Sequence, residues 1–113
     1  MKLVYICSPY AGDTPAQIKK HVFQAYIYCR LAFDAGNFPI APHCYLPNFL
    51  DDENKREREK ALRFGIKALD KCAELWVFGE YISGGMRNEI EHAKSKNKVI
   101  RYFDRQGYEI KGE

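Results

Sequence analysis

The feature that most constrains the fold is a regular alternation of short apolar runs with longer amphipathic segments. Four runs have the length and composition of β-strands, at residues 2–7, 38–41, 74–78 and 99–103. Three segments carry apolar side chains at three- and four-residue intervals typical of α-helices, at residues 15–35, 54–72 and 86–96. Alternating strands and helices predict an α/β fold with an open, mainly parallel sheet and right-handed crossovers.

Local signals set the ends of these elements. Thr14 is the predicted N-cap of the first helix, with Gln17 closing a capping box, and Gly36 follows its last turn. Pro39 suits an edge strand, because proline cannot donate to a sheet ladder. Residues 104–107 predict a turn that returns the chain as a terminal hairpin strand. We therefore expect four to five strands with helices on both faces, as in flavodoxin-like and Rossmann-like sheets.

Composition predicts one cytoplasmic domain over residues 1–113. A net charge of +3 with 46% apolar residues is ordinary for a globular chain, and no window approaches the about 20 apolar residues of a membrane span. The acidic and basic residues of 51–60 interleave, which indicates a solvated helix face and argues against a nucleic-acid polymer as partner. The four cysteines lack metal or redox spacing, so reduced and mostly buried thiols are expected.

Ligands of such sheets bind beyond the carboxyl ends of the strands. Three loops meet at that edge, at residues 8–13, 42–47 and 79–89. In the third loop, Ser83, Gly84 and Gly85 precede a helix whose free N–H groups suit an anion such as a 5′-phosphate. A flexible turn with an ordinary helix cap explains the same three residues. The loop alone does not decide between these readings.

Glu89 is expected near the first turn of this helix, where the helix dipole favours its ionised form. Such a carboxylate can stabilise or capture the oxocarbenium-like centre formed when an N-glycosidic bond breaks. It can equally be one more acidic residue at a helix start. Glu91, two positions on, is expected at the surface.

Three segments together resemble the nucleoside 2-deoxyribosyltransferase superfamily, and more closely its short, often phage-borne members. They are Val4-Tyr5-Ile6-Cys7-Ser8-Pro9-Tyr10, Pro39-Ile40-Ala41-Pro42-His43, and Leu75–Gly79 followed by Ser83–Ala93. The resemblance covers about residues 1 to 102. It implies that Glu89 is the nucleophile and that the hydroxyl of Tyr5 orients it.

The resemblance also implies acidic residues that hold the leaving base, one near the start of the third strand and one before the nucleophile. This chain has Cys72-Ala73 at the first place and Ser83 at or near the second, where the loop would contact the sugar or a 5′-phosphate. Asp70, Glu74 and Glu80 are the candidate replacements. The sequence therefore does not identify the residues that recognise the base or the group that protonates it as it leaves.

Further substrate-binding candidates lie in the same loops. Ser8, Tyr10 and His43 follow the first two strands, and Tyr10 can stack on a base. Asp13 either binds a ribose hydroxyl or simply precedes the Thr14 cap. His43 either contacts the ligand or has only a packing role in the protein. Met86 belongs to the helix start that carries the resemblance.

The pair His43-Cys44 is too small to predict a metal site, and a nucleophilic Cys7 or Cys44 is weakly supported.

Three functions remain open. The first is an enzyme that cleaves a nucleoside or nucleotide, or transfers its deoxyribosyl group, without a metal or redox cofactor. The second is a binding protein that sequesters or senses a nucleotide of the ADP-ribose type. The third is an interaction module that uses Lys55, Arg56 and Arg58. The resemblance further implies a homo-oligomer, at least a dimer, in which a neighbouring chain often completes the pocket.

Overall fold

The computed structural model describes residues 1–111 and contains five strands and three long helices. The strands are β1 (Leu3–Cys7), β2 (Phe38–Ile40), β3 (Glu74–Phe78), β4 (Val99–Phe103) and β5 (Glu109–Ile110). The helices are α1 (Pro15–Asp34), α2 (Lys55–Asp70) and α3 (Gly84–Ser95). Two single 3₁₀ turns, Pro42–Cys44 and Leu46–Asn48, lie where the sequence predicted only a loop.

The sheet has the order β2-β1-β3-β4-β5, with the first four strands parallel and β5 antiparallel to β4. This confirms the predicted α/β fold, the edge position of Pro39 and the terminal hairpin. The order reverses between β1 and β3, because β2 lies outside β1 while β4 lies outside β3. A ligand site is therefore expected where β1 and β3 end.

Each face of the sheet has its own apolar core. Successive side chains of β1 and β3 point to opposite faces of the sheet. Ile6 and Phe78 therefore pack with α1, while Cys7 and Val77 pack with α2 and α3. Phe78 is fully buried and stacks between Tyr28, at a centroid distance of 4.1 Å, and Phe103, at 4.6 Å. Helices thus cover both faces, as predicted.

Two predicted details of the helix ends were wrong or shifted. The Thr14 hydroxyl caps α1 by accepting from the N–H of Gln17, but the Gln17 side chain accepts from Asp13 instead of closing a capping box. Helix α3 begins at Gly84, two residues before its predicted start, because Ser83 caps it.

None of the helices within residues 1–111 is long and apolar enough to cross a bilayer.

Candidate active site

The strongest candidate site is a partly buried carboxylate beneath the point where the strand order reverses. The Tyr5 hydroxyl, on β1, donates a hydrogen bond of 2.5 Å to Oε2 of Glu89, on α3. Tyr5 is 2% exposed and Glu89 is partly buried. A charge-assisted bond this short fixes the carboxylate relative to the sheet.

Glu89 was predicted near the first turn of α3 and is the sixth residue of that helix, in its second turn. The side chain lies on the inner face of this turn, where it meets the Tyr5 hydroxyl. Desolvation raises the pKa of Glu89 above its usual value of 4.5, while hydrogen bonds from Tyr5 and Cys7 oppose that rise.

Cys7 lies two residues after Tyr5 on the same face of β1 and is fully buried. Its thiol lies 3.9 Å from the carbonyl oxygen of Met86, one turn before Glu89. Burial and the neighbouring carboxylate raise the pKa of Cys7 well above its usual range. The thiol therefore stays protonated and acts as a donor, which argues against the nucleophilic role considered for it.

Gly65 closes the site from the α2 side. A Cβ atom at this position would lie 3.3 Å from the Tyr5 hydroxyl oxygen and 3.9 Å from Oε2 of Glu89. Glycine inside a helix costs about 1 kcal/mol relative to alanine, so its presence here reflects the close approach of α2 to the buried pair. The sequence carried this signal, a glycine on the apolar face of a predicted helix, and its role was missed.

Ser8 and His43 form a second pair at the ends of β1 and β2. The Ser8 hydroxyl and Nε2 of His43 are 2.9 Å apart, and Ser8 is buried. Burial lowers the pKa of His43 to about 4, so the imidazole is neutral near pH 7. The pair offers neutral hydrogen-bonding groups at the ligand edge, and both residues were predicted there.

Tyr10 and Asp13 lie in the loop between β1 and α1. The Tyr10 hydroxyl donates to Oδ2 of Asp52 at 2.9 Å, which joins this loop to the segment before α2. His21, given no role by the sequence, lies 3.1 Å from the Tyr10 carbonyl oxygen through Nδ1 and supports the same loop. Asp13 is exposed, and its backbone N–H donates to Gln17.

The loop before α3 functions first as a helix cap. The Ser83 hydroxyl accepts from the N–H of Met86 at 3.3 Å, and a hydroxyl that accepts can still donate to a ligand. Gly84 and Gly85 are exposed, with open space where a Cβ atom would lie. Met86, predicted to bind substrate, is 3% exposed and its side chain packs in the core.

Three acidic residues were considered for binding the leaving base, and two of them lie at the edge of the sheet opposite the ligand edge. Glu74 begins β3 and accepts hydrogen bonds from Lys2, at 2.6 Å, and from the Trp76 indole, at 2.8 Å. Asp70 ends α2 and accepts a bond of 2.6 Å from His92. Only Glu80, exposed after β3, lies at the ligand edge.

Comparison with known proteins places the chain in a family. A model described as "Domain of unknown function (DUF7768)" matches residues 2–103, nearly the whole chain. The chain belongs to this family. No curated protein matches the sequence.

The DUF7768 fold also occurs among solved structures. A 2-deoxyribosyltransferase from the psychrotolerant bacterium Bacillus psychrosaccharolyticus superposes with a TM-score of 0.69 at 17% sequence identity. The superposition covers 97% of this chain and 77% of that one. The two proteins share a fold, and at this identity the likeness extends no further.

Proposed function

We propose that this protein cleaves the N-glycosidic bond of a nucleoside or nucleotide, with Glu89 as the nucleophile. The observation that carries the proposal is the partly buried Glu89 carboxylate, which accepts a hydrogen bond of 2.5 Å from the Tyr5 hydroxyl beneath the strand-order reversal. The shared fold of a 2-deoxyribosyltransferase supports it. Tyr5 stays protonated because burial and Glu89 raise its pKa well above its usual value. It therefore orients the carboxylate at any physiological pH.

The reaction proceeds in two displacements. A Glu89 oxygen forms a bond to the anomeric carbon as the bond to the base nitrogen breaks, and the base departs with the electron pair and takes up a proton. A water molecule then attacks the same carbon, which releases the sugar and regenerates the carboxylate. If a second base attacks instead, the product is a new nucleoside and the reaction is deoxyribosyl transfer.

Hydrolysis is the better supported of these outcomes. A transferase must hold an acceptor base, and Asp70 and Glu74 are committed to other partners at the opposite edge of the sheet. The neutral Ser8–His43 pair and the exposed Glu80 remain at the ligand edge of the sheet. Ser83 with Gly84 and Gly85 at the start of α3 would favour a 5′-phosphorylated substrate.

The test is release of free base. Wild type and Glu89→Ala are incubated with deoxynucleosides, deoxynucleotides and NAD-derived nucleotides, and the products are separated by chromatography. We expect release by wild type alone, with a new nucleoside formed only if an added acceptor base is used. Equal release by both proteins would remove Glu89 from the mechanism.

The alternative is a binding protein for a nucleotide of the ADP-ribose type. The displacement of Asp70 and Glu74 from the ligand edge favours it, because no acid on those elements is left to protonate a leaving base. In that case no base is released, while one ligand of the panel raises the melting temperature of wild type and Glu89→Ala alike.

Replacing Tyr5 with phenylalanine should move the acid limb of the pH–rate profile. The nucleophile must be ionised, so the rate falls as the pH drops through the pKa of Glu89, which lies above 4.5. Tyr5 lowers that pKa by hydrogen bonding, and its loss should shift the limb to higher pH as well as lower the plateau. The pH profile of kcat/KM measures both the position of the acid limb and the height of the plateau. An acid limb at the same pH in both proteins would contradict the prediction that Tyr5 lowers the pKa of Glu89.

Gly65→Ala should lower kcat roughly tenfold, because the new methyl group must displace the Tyr5 hydroxyl, which orients Glu89, by a few tenths of an ångström. KM should change little. Lys67→Ala, at an exposed position of the same helix, is the matched control and should leave kcat unchanged. If Gly65→Ala only raises the melting temperature, as its helix propensity favours, the close packing does not affect catalysis.

A further inference from the structure

The ligand edge of the sheet holds few groups that can protonate a leaving base. When the glycosidic bond of a neutral purine or pyrimidine breaks, negative charge develops on the departing nitrogen, and such a base leaves readily only when an acid protonates it. Asp70 and Glu74 lie at the opposite edge, where their carboxylates accept hydrogen bonds from other side chains. The five residues of β3 separate Glu74 from the ligand edge.

The phenol and thiol groups of β1 and of the loop after it hold their protons firmly. Tyr5 donates its hydroxyl proton to Glu89, and Tyr10 donates to Asp52. Burial and the carboxylate partner raise the pKa of Tyr5 well above its usual range and that of Tyr10 to about 12. The buried thiol of Cys7 has a raised pKa for the same two reasons. Loss of a proton from any of them would place two negative charges side by side.

The other groups of this edge are neutral or unanchored. His43 carries no imidazolium proton near pH 7, because burial lowers its pKa to about 4, and its Nε2 is 2.9 Å from the Ser8 hydroxyl. Tyr45 and Tyr81 are 44% and 73% exposed, so packing does not hold their hydroxyls over a bound base. Residues 1–111 thus offer no fixed acid at the ligand edge near pH 7.

The charge of this edge is opposite to that of the whole chain. Asp13 and Glu80 are exposed, and exposed carboxyl groups are ionised near neutral pH. With Glu89 they place three carboxylates in the loops at residues 8–13, 42–47 and 79–89, against the single guanidinium of Arg87, whereas the chain has a net charge of +3. A negative region on a positive protein attracts a cationic ligand.

We propose that the substrate carries a base that is already cationic while it is attached to the sugar, as in pyridinium and 7-alkylpurinium nucleosides. The inference rests on the proposed cleavage by Glu89 and names the class of base. As a Glu89 oxygen bonds to the anomeric carbon, the electron pair of the breaking bond neutralises the ring, and the base leaves without the proton that a neutral base takes up. Water then displaces Glu89 from the same carbon, and its proton passes to solvent. Each turnover therefore releases one proton, whereas hydrolysis of a neutral nucleoside releases none.

Two matched pairs of compounds test the charge of the base. They are 7-methyl-2′-deoxyguanosine with 2′-deoxyguanosine, and nicotinamide riboside with its reduced 1,4-dihydro form, each offered with and without a 5′-phosphate. Rates of base release are divided by the rates without protein, which removes the difference in intrinsic reactivity. In at least one pair, we expect the rate enhancement by wild type to be at least about 100-fold larger for the cationic member and to be lost in Glu89→Ala. An equal or larger enhancement for 2′-deoxyguanosine, dependent on Glu89, would overturn this inference and leave the proposed cleavage standing. Release from none of the compounds would contradict both.

Glu80→Gln separates attraction of the cation from proton transfer. Solvent screens an exposed charge, so the variant should raise the KM of the cationic compound about twofold and leave its kcat unchanged. Glu91→Gln, at an exposed position of α3, is the matched control and should leave both constants unchanged. A fall in kcat on 2′-deoxyguanosine in Glu80→Gln alone would identify Glu80 as the acid and overturn the inference.

Discussion

Glu89→Gln protein should retain ligand affinity and lose turnover by a factor of at least about 10³, equivalent to about 4 kcal/mol of transition-state stabilisation. The amide keeps the shape of the side chain and can still accept the Tyr5 hydrogen bond, but it cannot form the glycosyl ester. Single-turnover base release measures the loss, and a thermal shift with the same ligand measures affinity.

The same variant should be more stable than wild type at neutral pH. Burial raises the pKa of Glu89 in the folded state above its unfolded value of 4.5. The contribution of the protonated Glu89 to the free energy of unfolding is therefore fully present below pH 4.5 and is lost as the pH rises through the folded pKa. Glutamine removes that loss. Its stabilising effect should therefore disappear below pH 4.5, as measured by denaturant unfolding; a stabilisation independent of pH would contradict the assignment.

Phe78→Ala should produce the largest loss of stability, about 3–5 kcal/mol, with a fall in melting temperature of roughly 15 °C. Phe78 is fully buried and its ring stacks on Tyr28 and Phe103, so truncation removes both contacts and leaves a cavity between α1 and the sheet. Calorimetry measures the change.

Phe49→Ala is the matched control for that substitution. Its side chain is 67% exposed, in the segment after β2, and its removal should change the free energy of unfolding by less than about 1 kcal/mol. Equal effects of the two substitutions would show that the stacked cluster does not dominate the core on the α1 side.

The sequence located most elements to within two residues because strand and helix periodicity is local. The edge strand at Pro39, the cap at Thr14 and the terminal hairpin each followed from the chemistry of a few neighbouring residues. The alternation of elements also determined where parallel strands end together, and so which loops meet at the ligand edge. The pairing of Tyr5 with Glu89 came from a family resemblance and not from periodicity.

Tertiary structure decided what surrounds the carboxylate. Tyr5 and Glu89 are 84 positions apart, and Gly65 approaches both from a third element, so their distances depend on how two crossovers pack against the sheet. The same packing partly buries Glu89 in the second turn of α3, where desolvation is the largest influence on its pKa. Contacts between distant segments follow from the packing of whole elements, which no local pattern encodes.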